Sequence, residues 1–325
     1  MVPVDRFGRS FPYLRLSLTE VCNFRCSYCL PDGYRGDNRA AFLTLDEARR
    51  LVRAFATLGT RKVRLTGGEP SLRRDLTPVI AALSAVPGIQ QIALTTNGYV
   101  LPRYVRNWRE AGLRALNVSL DSLQPARFRA ITGHDRHAAV TSGIEQALAL
   151  GFDAVKVNVV LLKGLNDDEL PAWKTYLRER DVAVRFIELM RTGTNHAYFQ
   201  RHHLRAESLQ RQLQSDGWQL QSRSADSGPA NHYAHPDYRG RVGIIAPYSS
   251  GFCANCNRLR ITARGELRLC LFGETGTPLK PLLQSDDDHD VLVGRIADQL
   301  GLKAAGHRLR EGMTGQTPHL ASIGG

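Results

Sequence analysis

Cys22-Asn23-Phe24-Arg25-Cys26-Ser27-Tyr28-Cys29 follows directly on a run of β-branched and aliphatic residues at 13–18. Three cysteines spaced C-x3-C-x2-C can hold three irons of a [4Fe–4S] cube and leave the fourth iron open to a ligand, which a closed four-cysteine site cannot do. A zinc site completed by a distant histidine is the alternative reading. Zinc sites more often use paired C-x2-C knuckles than an x3 gap with an aromatic residue before the last cysteine. On either reading the triplet sits in a loop at the C-terminal end of a strand.

Outward from that loop, strand-like segments recur at 62–66, 91–95, 115–120, 154–160 and 182–189, with helix-like stretches between them at 44–58, 75–85, 102–111, 125–131, 138–150 and 167–180. The first helix is the clearest. Thr44 and Glu47 make a capping box, apolar residues follow at helical spacing, and Gly59 supplies the stop. Six strand-then-helix units in order predict parallel strands joined by crossover helices. Six falls short of the eight in a closed barrel, so the expected architecture is α/β, an incomplete TIM-like (β/α)6 barrel. Residues from about 205 onward would cover its open side. The working division is a core over 1–200 and a C-terminal region over 201–325, with an irregular connection at 222–238. Ligands of such folds gather at the C-terminal ends of the strands.

At 325 residues, with 42% hydrophobic and 23% charged residues, the chain is an ordinary globular sequence, which excludes wholesale disorder and fibrous repeats. It contains no apolar run of the roughly 20 residues needed to span a bilayer. The N-terminus lacks the apolar core of a signal peptide, so a cytoplasmic location is expected. A net charge of +12 favours anionic partners. The basic residues are spread out, without a run of five, and are not interleaved with aromatics as single-stranded RNA binding would require.

The six cysteines form two triplets and leave no strays. Cys253, Cys256 and Cys270 have the spacing C-x2-C-x13-C, again without an obvious fourth cysteine; His232 or His235 could complete a zinc site there. Long chains without export signals favour metal ligation over a disulfide framework. Arg15, Arg64 and Lys156 lie inside expected strands. An unpaired charge is costly there, so a ligand in the barrel lumen is favoured.

The first triplet, together with Gly67-Gly68-Glu69-Pro70, Thr95-Thr96-Asn97-Gly98 and Asn117-Val118-Ser119-Leu120-Asp121 at the ends of successive strands, resembles the radical S-adenosylmethionine superfamily. The second triplet, within Gly251–Thr262 and on to Cys270, resembles the MoaA family of GTP 3′,8-cyclases, and that likeness runs from Tyr13 to Gly324-Gly325. Its main departure is Ser71, where the family usually carries an apolar residue. The resemblance implies two [4Fe–4S] clusters, on Cys22, Cys26 and Cys29 and on Cys253, Cys256 and Cys270, plus S-adenosylmethionine contacted by Tyr28, Gly68, Ser119 and Met190. It implies GTP held by Arg15, Arg64, Thr95, Lys156, Arg258, Leu259 and Arg260, with the guanine on the open iron of the second cluster. Catalytic roles follow for Arg185 and for the terminal Gly324 and Gly325, in a tail that enters the active site. The implied reaction makes 3′,8-cyclo-7,8-dihydro-GTP by way of a 5′-deoxyadenosyl radical that takes hydrogen from C3′, the first step of molybdenum cofactor biosynthesis. The implied partners are GTP, a reductant protein, a downstream MoaC-type cyclic pyranopterin monophosphate synthase and a second copy of the chain, with neither membrane nor nucleic acid. Two rivals stand beside it: a radical S-adenosylmethionine enzyme that modifies peptide or tRNA with an auxiliary cluster, and a metal-stabilised basic RNA-binding module.

Overall fold

The computed structural model describes residues 4–36, 41–222 and 227–324. Strands β1 (Tyr13–Ser17), β2 (Lys62–Thr66), β3 (Gln91–Thr96), β4 (Leu113–Ser119), β5 (Ala154–Leu161) and β6 (Ala183–Glu188) are consecutive parallel neighbours in one sheet. The crossovers carry α1 (Leu45–Thr57), α2 (Leu76–Ser84), α3 (Leu101–Glu110), the pair α4 (Pro125–Thr132) and α5 (His137–Ala149), and α6 (Leu170–Leu177). The expected partial barrel is therefore present.

Two short helices, α7 (His196–His202) and α8 (Glu207–Ser215), lead out of the core, and position 200 falls inside α7. Strands β7 (Gln219–Leu220), β8 (Asn231–Ala234), β9 (Arg241–Ile245), β10 (Arg258–Ile261), β11 (Glu266–Arg268) and β12 (Thr277–Pro278) follow, and then α9 (His289–Leu300). Sequence reading did not anticipate where these strands go. β9 joins β6 and β10 joins β1, both parallel, so the later residues extend the barrel sheet at its two edges. Short antiparallel strands finish each side, in the order β12-β11-β10-β1-β2-β3-β4-β5-β6-β9-β8-β7.

Alternation along each strand sorts the side chains. Leu14, Leu16, Val63, Leu65, Leu94, Leu116, Val157 and Val184 are fully buried against the helices. The intervening positions face the lumen, and the register aligns them in layers: Arg260 beside Arg15 beside Arg64, then Asn117 beside Lys156, and Asn158 beside Arg185.

The capping box of α1 forms as expected. The Thr44 backbone N–H donates to Glu47 Oε2 at 2.8 Å, and the Glu47 N–H donates to Thr44 Oγ1 at 3.2 Å. By contrast α6 is shorter than its sequence pattern. Side-chain oxygens of Asn166 and Asp167 accept from the Leu162 and Gly164 N–H groups, each at 2.8 Å, and so fold the start of the segment into turns. At the other end the N–H groups of Gly240 and Arg239 take the carbonyls of Leu177 and Arg178. Replacing Thr44 with Ala should cost about 1 kcal/mol of stability. A lower urea midpoint at unchanged slope is the expected result.

Candidate active site

The first triplet lies on a loop pinned to the end of α4, where the Arg25 N–H donates to Thr132 O at 3.0 Å and the Ser27 N–H to Ile131 O at 2.9 Å. Phe24 anchors it, stacked on His134 with ring centroids 4.9 Å apart. The glycine pair after β2 runs alongside. A Cβ on Gly67 would stand 2.3 Å from Thr19 O, and one on Gly68 2.4 Å from Val21 O, so no side chain fits at either position. Glu69 is fully buried and both its oxygens are engaged, by the Ser71 N–H, the Thr96 hydroxyl and the Asn97 N–H at 3.0, 2.7 and 2.6 Å. It thus ties the loops after β2 and β3 together and does not line the cavity beside them. The carboxylate that does line it is Asp121, which accepts from the Tyr28 hydroxyl at 3.0 Å and the Val160 N–H at 2.9 Å.

This cavity has Cys22, Cys26 and Cys29 in its wall, and among the described residues Asp121 is its one charged lining group. Burial pushes the carboxyl of Asp121 up to about 6. Burial, with Glu69 adding to it, pushes Cys22 up to about 12, and burial with Asp121 holds Cys26 well above the ordinary thiol range. A chamber whose one charged lining group is a carboxylate suits a cationic ligand.

The second triplet faces a different environment. Cys253 and Cys256 sit in the connection between β9 and β10, Cys270 follows β11, and all six cysteines are free thiols. The cavity they line, with about 1130 Å³ of open space, also receives Arg15, Lys62, Arg64, Lys156, Arg185, Arg258 and Arg260, and among the described residues no carboxylate lines it. Arg64 Nε, Arg185 Nε, Arg258 Nε and Arg260 Nη1 are buried without a hydrogen-bond partner. Burial and the neighbouring Arg185 and Arg64 bring Lys156 down to about 6, and burial with Arg258 brings Arg260 down to about 10. Burial opposes ionisation of Cys256, yet Arg258 and Lys303 overcome it and bring that thiol down to about 7. This chamber suits an anion with several charges.

The two cavities share Asn158, Ile187, Met190 and Leu271 in their walls, so they open on one lumen. The C-terminal segment reaches into it. Arg15 donates from Nη2 to the Gly324 carbonyl at 2.7 Å and from Nε at 3.2 Å. Gly324 has φ +66°, and a Cβ there would fall 2.2 Å from Thr66 Cγ2. Leu320 and Ala321 line the first cavity together with Cys29. Gly325 lies outside the described residues.

Most of the expected site residues converge. Tyr28, Gly68, Ser119 and Met190 line the first cavity, and Arg15, Arg64, Lys156, Arg185, Arg258 and Arg260 the second. Two do not follow expectation. Thr95 lies in the wall of the first cavity, where its hydroxyl accepts from Asn117 Nδ2 at 3.3 Å. Leu259 turns its side chain into the core between its two arginine neighbours, which leaves only its backbone for a ligand. His235 packs on Trp218 and Tyr238, away from both triplets. Among the described residues no three His, Cys, Asp or Glu side chains surround a single metal ion. A cube whose thiolates attach to different irons does not need that arrangement. Sequence reading missed Tyr13, Lys62, Asn117 and Asn158, which line the same cavities. Each of these shares its strand face with a residue already singled out, so period-two alternation was the signal.

Residues 16–177 match the Radical SAM superfamily, and residues 182–309 match the family described as Molybdenum Cofactor Synthesis C. GTP 3′,8-cyclase from Stenotrophomonas maltophilia R551-3 is 67% identical over 321 residues, covering 99% of this chain and 98% of that one. The chain belongs to the GTP 3′,8-cyclase family. The family's enzyme from Aeromonas hydrophila is 55% identical over 99% of this chain and 95% of its own, and that from Vibrio vulnificus CMCP6 52% over 99% and 97%. Streptococcus suis SuiB bound to S-adenosylmethionine shares the fold at TM-score 0.64 and 14% identity, covering 95% of this chain and 75% of that one. Membership in the radical S-adenosylmethionine superfamily brings one [4Fe–4S] cluster and S-adenosylmethionine with it, and the cysteine loop, the glycine pair and the Asp121 chamber fit that pair. No helix among the described residues of this GTP 3′,8-cyclase family member is long and apolar enough to cross a membrane.

The depressed Lys156 gives a pH test. Its free amine is mostly neutral above about 6, and a bound polyanion restores its charge, so binding takes up a proton and weakens as pH rises. Calorimetry of tripolyphosphate binding at pH 7.5, in two buffers of different ionisation enthalpy, should reveal that uptake. Lys156→Met should abolish it.

Proposed function

We propose that this chain converts GTP to 3′,8-cyclo-7,8-dihydro-GTP with S-adenosylmethionine and an electron donor, as the first step of molybdenum cofactor biosynthesis. One observation carries the reading: a single lumen is divided into an acid-only chamber beside the first cysteine triplet and a cation-only chamber beside the second. S-adenosylmethionine carries a sulfonium and an ammonium, and GTP carries a triphosphate. Each ligand has one chamber of opposite charge, and the shared wall brings the two together. The relatives' name agrees with the pairing.

In this reading Cys22, Cys26 and Cys29 hold the cluster beside S-adenosylmethionine, and Cys253, Cys256 and Cys270 hold a second [4Fe–4S] cluster whose open iron takes the guanine. When bound, the first cluster supplies the electron that cleaves S-adenosylmethionine and so starts hydrogen abstraction at C3′. The chain's own part is binding, positioning and exclusion of water. Asp121 faces the cationic ligand while the tight backbone at Gly68, Tyr28, Ser119 and Met190 shape its chamber. Arg15, Arg64, Lys156, Arg258 and Arg260 grip the triphosphate, with the Leu259 backbone between the last two and Thr95 at the junction with the first chamber. Arg185, whose Nη2 donates to Asn158 Oδ1 at 2.5 Å, stands at the boundary between the ligands, where C3′ and C8 must meet. Gly324 closes the lumen from the tail, with the Arg15 contact shared with the incoming phosphate or given up, and a catalytic role is assigned to Gly325 beside it. We also place the core and C-terminal regions at 1–200 and 201–325, and infer a cytoplasmic enzyme that takes electrons from a reductant protein, passes product to a MoaC-type synthase and pairs with a second copy.

Anaerobic incubation with GTP, S-adenosylmethionine and dithionite tests the proposal, and should yield 5′-deoxyadenosine with a cyclised nucleotide from protein holding about eight irons. Cys26→Ser should abolish 5′-deoxyadenosine, whereas Cys256→Ser should lose half the iron and all cyclised product. Native turnover by Cys256→Ser would overturn the role of the second triplet. Arg260→Ala should weaken GTP binding by about 1.5–3 kcal/mol and leave S-adenosylmethionine binding unchanged in calorimetry.

A further inference from the structure

Against the second triplet lies a set of contacts made by Arg9 and Lys303, neither of which lines either chamber. Arg9 is buried and paired with the fully buried carboxylate of Asp5, Nε to Oδ2 at 2.7 Å. The Asp5 Oδ1 is itself taken by the backbone N–H groups of Phe7 and Arg9, at 2.9 and 3.0 Å. The rest of the guanidinium spans two distant segments. Nη1 donates to the carbonyls of Cys253 and Ala305 at 3.1 and 2.8 Å, and Nη2 to that of Ala304 at 2.7 Å. Next to Ala304, Lys303 is buried at 3% exposure, with its ammonium 5.4 Å from the centroid of the Phe11 ring, and donates to the carbonyl of Leu269, the residue before Cys270. The chain then passes directly over the first cysteine of the triplet: a Cβ on Gly306 would come 3.2 Å from Cys253 Cβ and 3.4 Å from its Sγ.

A buried guanidinium has five donors, and satisfying them with backbone carbonyls fixes the segments that own those carbonyls. Here the carbonyls belong to the Cys253 turn and to 304–305, and Lys303 extends the same unit to the Cys270 end of β11. Cys253 and Cys270 are thus held to one brace, although they come from opposite ends of a connection through β10 and β11. The brace also delivers charge. Asp5 balances Arg9, and among the described residues no carboxylate forms an ion pair with Lys303, whose ammonium is bonded to the carbonyl next to Cys270. Three thiolates on one iron–sulfur cluster leave it anionic, and a buried cation beside it lowers the cost of that charge.

We infer that Arg9 and Lys303 are positioning residues for the second cluster, bringing Cys253 and Cys270 to a common site and supplying its counter-charge. The inference rests on the second-cluster reading given above. It is tested on the reconstituted full-length protein by counting iron and following its release to a chelator under anaerobic conditions, for wild type, Arg9→Lys and Lys303→Met. Arg9→Lys keeps the charge but loses the fork; Lys303→Met keeps the bulk but loses the charge. Wild type should hold about eight irons. Each variant should release half of its iron at least tenfold faster than wild type and the other half at the wild-type rate, while S-adenosylmethionine still binds. In Lys303→Met the reduction potential of the fast-releasing cluster should also become more negative. Wild-type release kinetics in both variants would overturn the brace and leave the cluster reading standing. Four irons in the wild type would overturn the cluster and the brace together. Loss of cooperative unfolding in both variants would show a general structural role and overturn the assignment.

Discussion

Like charges crowded inside a protein must be compensated, and the lumen of this barrel is built around that constraint. Arg260, Arg15 and Arg64 stand side by side on three neighbouring strands. Adjacent strands are about 5 Å apart, where two unit charges repel by about 3 kcal/mol at an effective dielectric constant of about 20. Lys156 relieves part of the repulsion by giving up its proton, and Arg15 by binding the Gly324 carbonyl. Arg64 Nε, Arg185 Nε, Arg258 Nε and Arg260 Nη1 stay buried without hydrogen-bond partners. The chamber therefore holds, in its ligand-free form, electrostatic strain that a polyanion removes on binding, which ties affinity to charge count before any specific recognition of a base or sugar.

The sheet makes that crowding possible. Parallel strands in direct register put every second residue on the lumen face, and apolar residues at the alternate positions bury the other face against helices. A separate cap could not have contributed Arg260 to the same layer as Arg15, or Arg258 to that of Tyr13. Because β10 pairs with β1, the C-terminal region shares the core's register and its cations continue the row. The same pairing puts Cys253 and Cys256 before the start of β10 and the first triplet after the end of β1, at opposite ends of two neighbouring parallel strands. The division of charge between the two chambers follows from which strand ends supply their walls: Asp121 follows β4, whereas the cations come from within β1, β2, β5, β6 and β10.

Much of this was legible in the sequence. The six βα units, the capping box at Thr44 and Glu47 and both cysteine triplets are local signals, set by spacing and by residue type, and they survive folding unchanged. Strand alternation also held the positions of Tyr13 and Lys62, which share faces with Arg15 and Arg64. What could not be read is what depends on long-range pairing. The parallel docking of β9 and β10 has no local signature, because a strand of four or five residues fits either edge of a sheet equally well. Nothing near Arg9 indicates that its partners lie more than two hundred residues away, and Glu69, adjacent to the glycine pair, turned out to bind neighbouring loops because burial and three local donors claim both its oxygens. Thr95 was placed on the correct strand, but its position near the strand's end carries it into the neighbouring chamber.

The two-residue strands β7 and β12 at the ends of the sheet carry a further consequence. A broad parallel sheet with long, flat borders would present unpaired N–H and carbonyl groups to any other chain. Ending each side in a strand of two residues leaves almost no template for such pairing. An enzyme that must wait for its iron–sulfur cluster to be installed has little exposed strand edge with which to form intermolecular sheets during the wait.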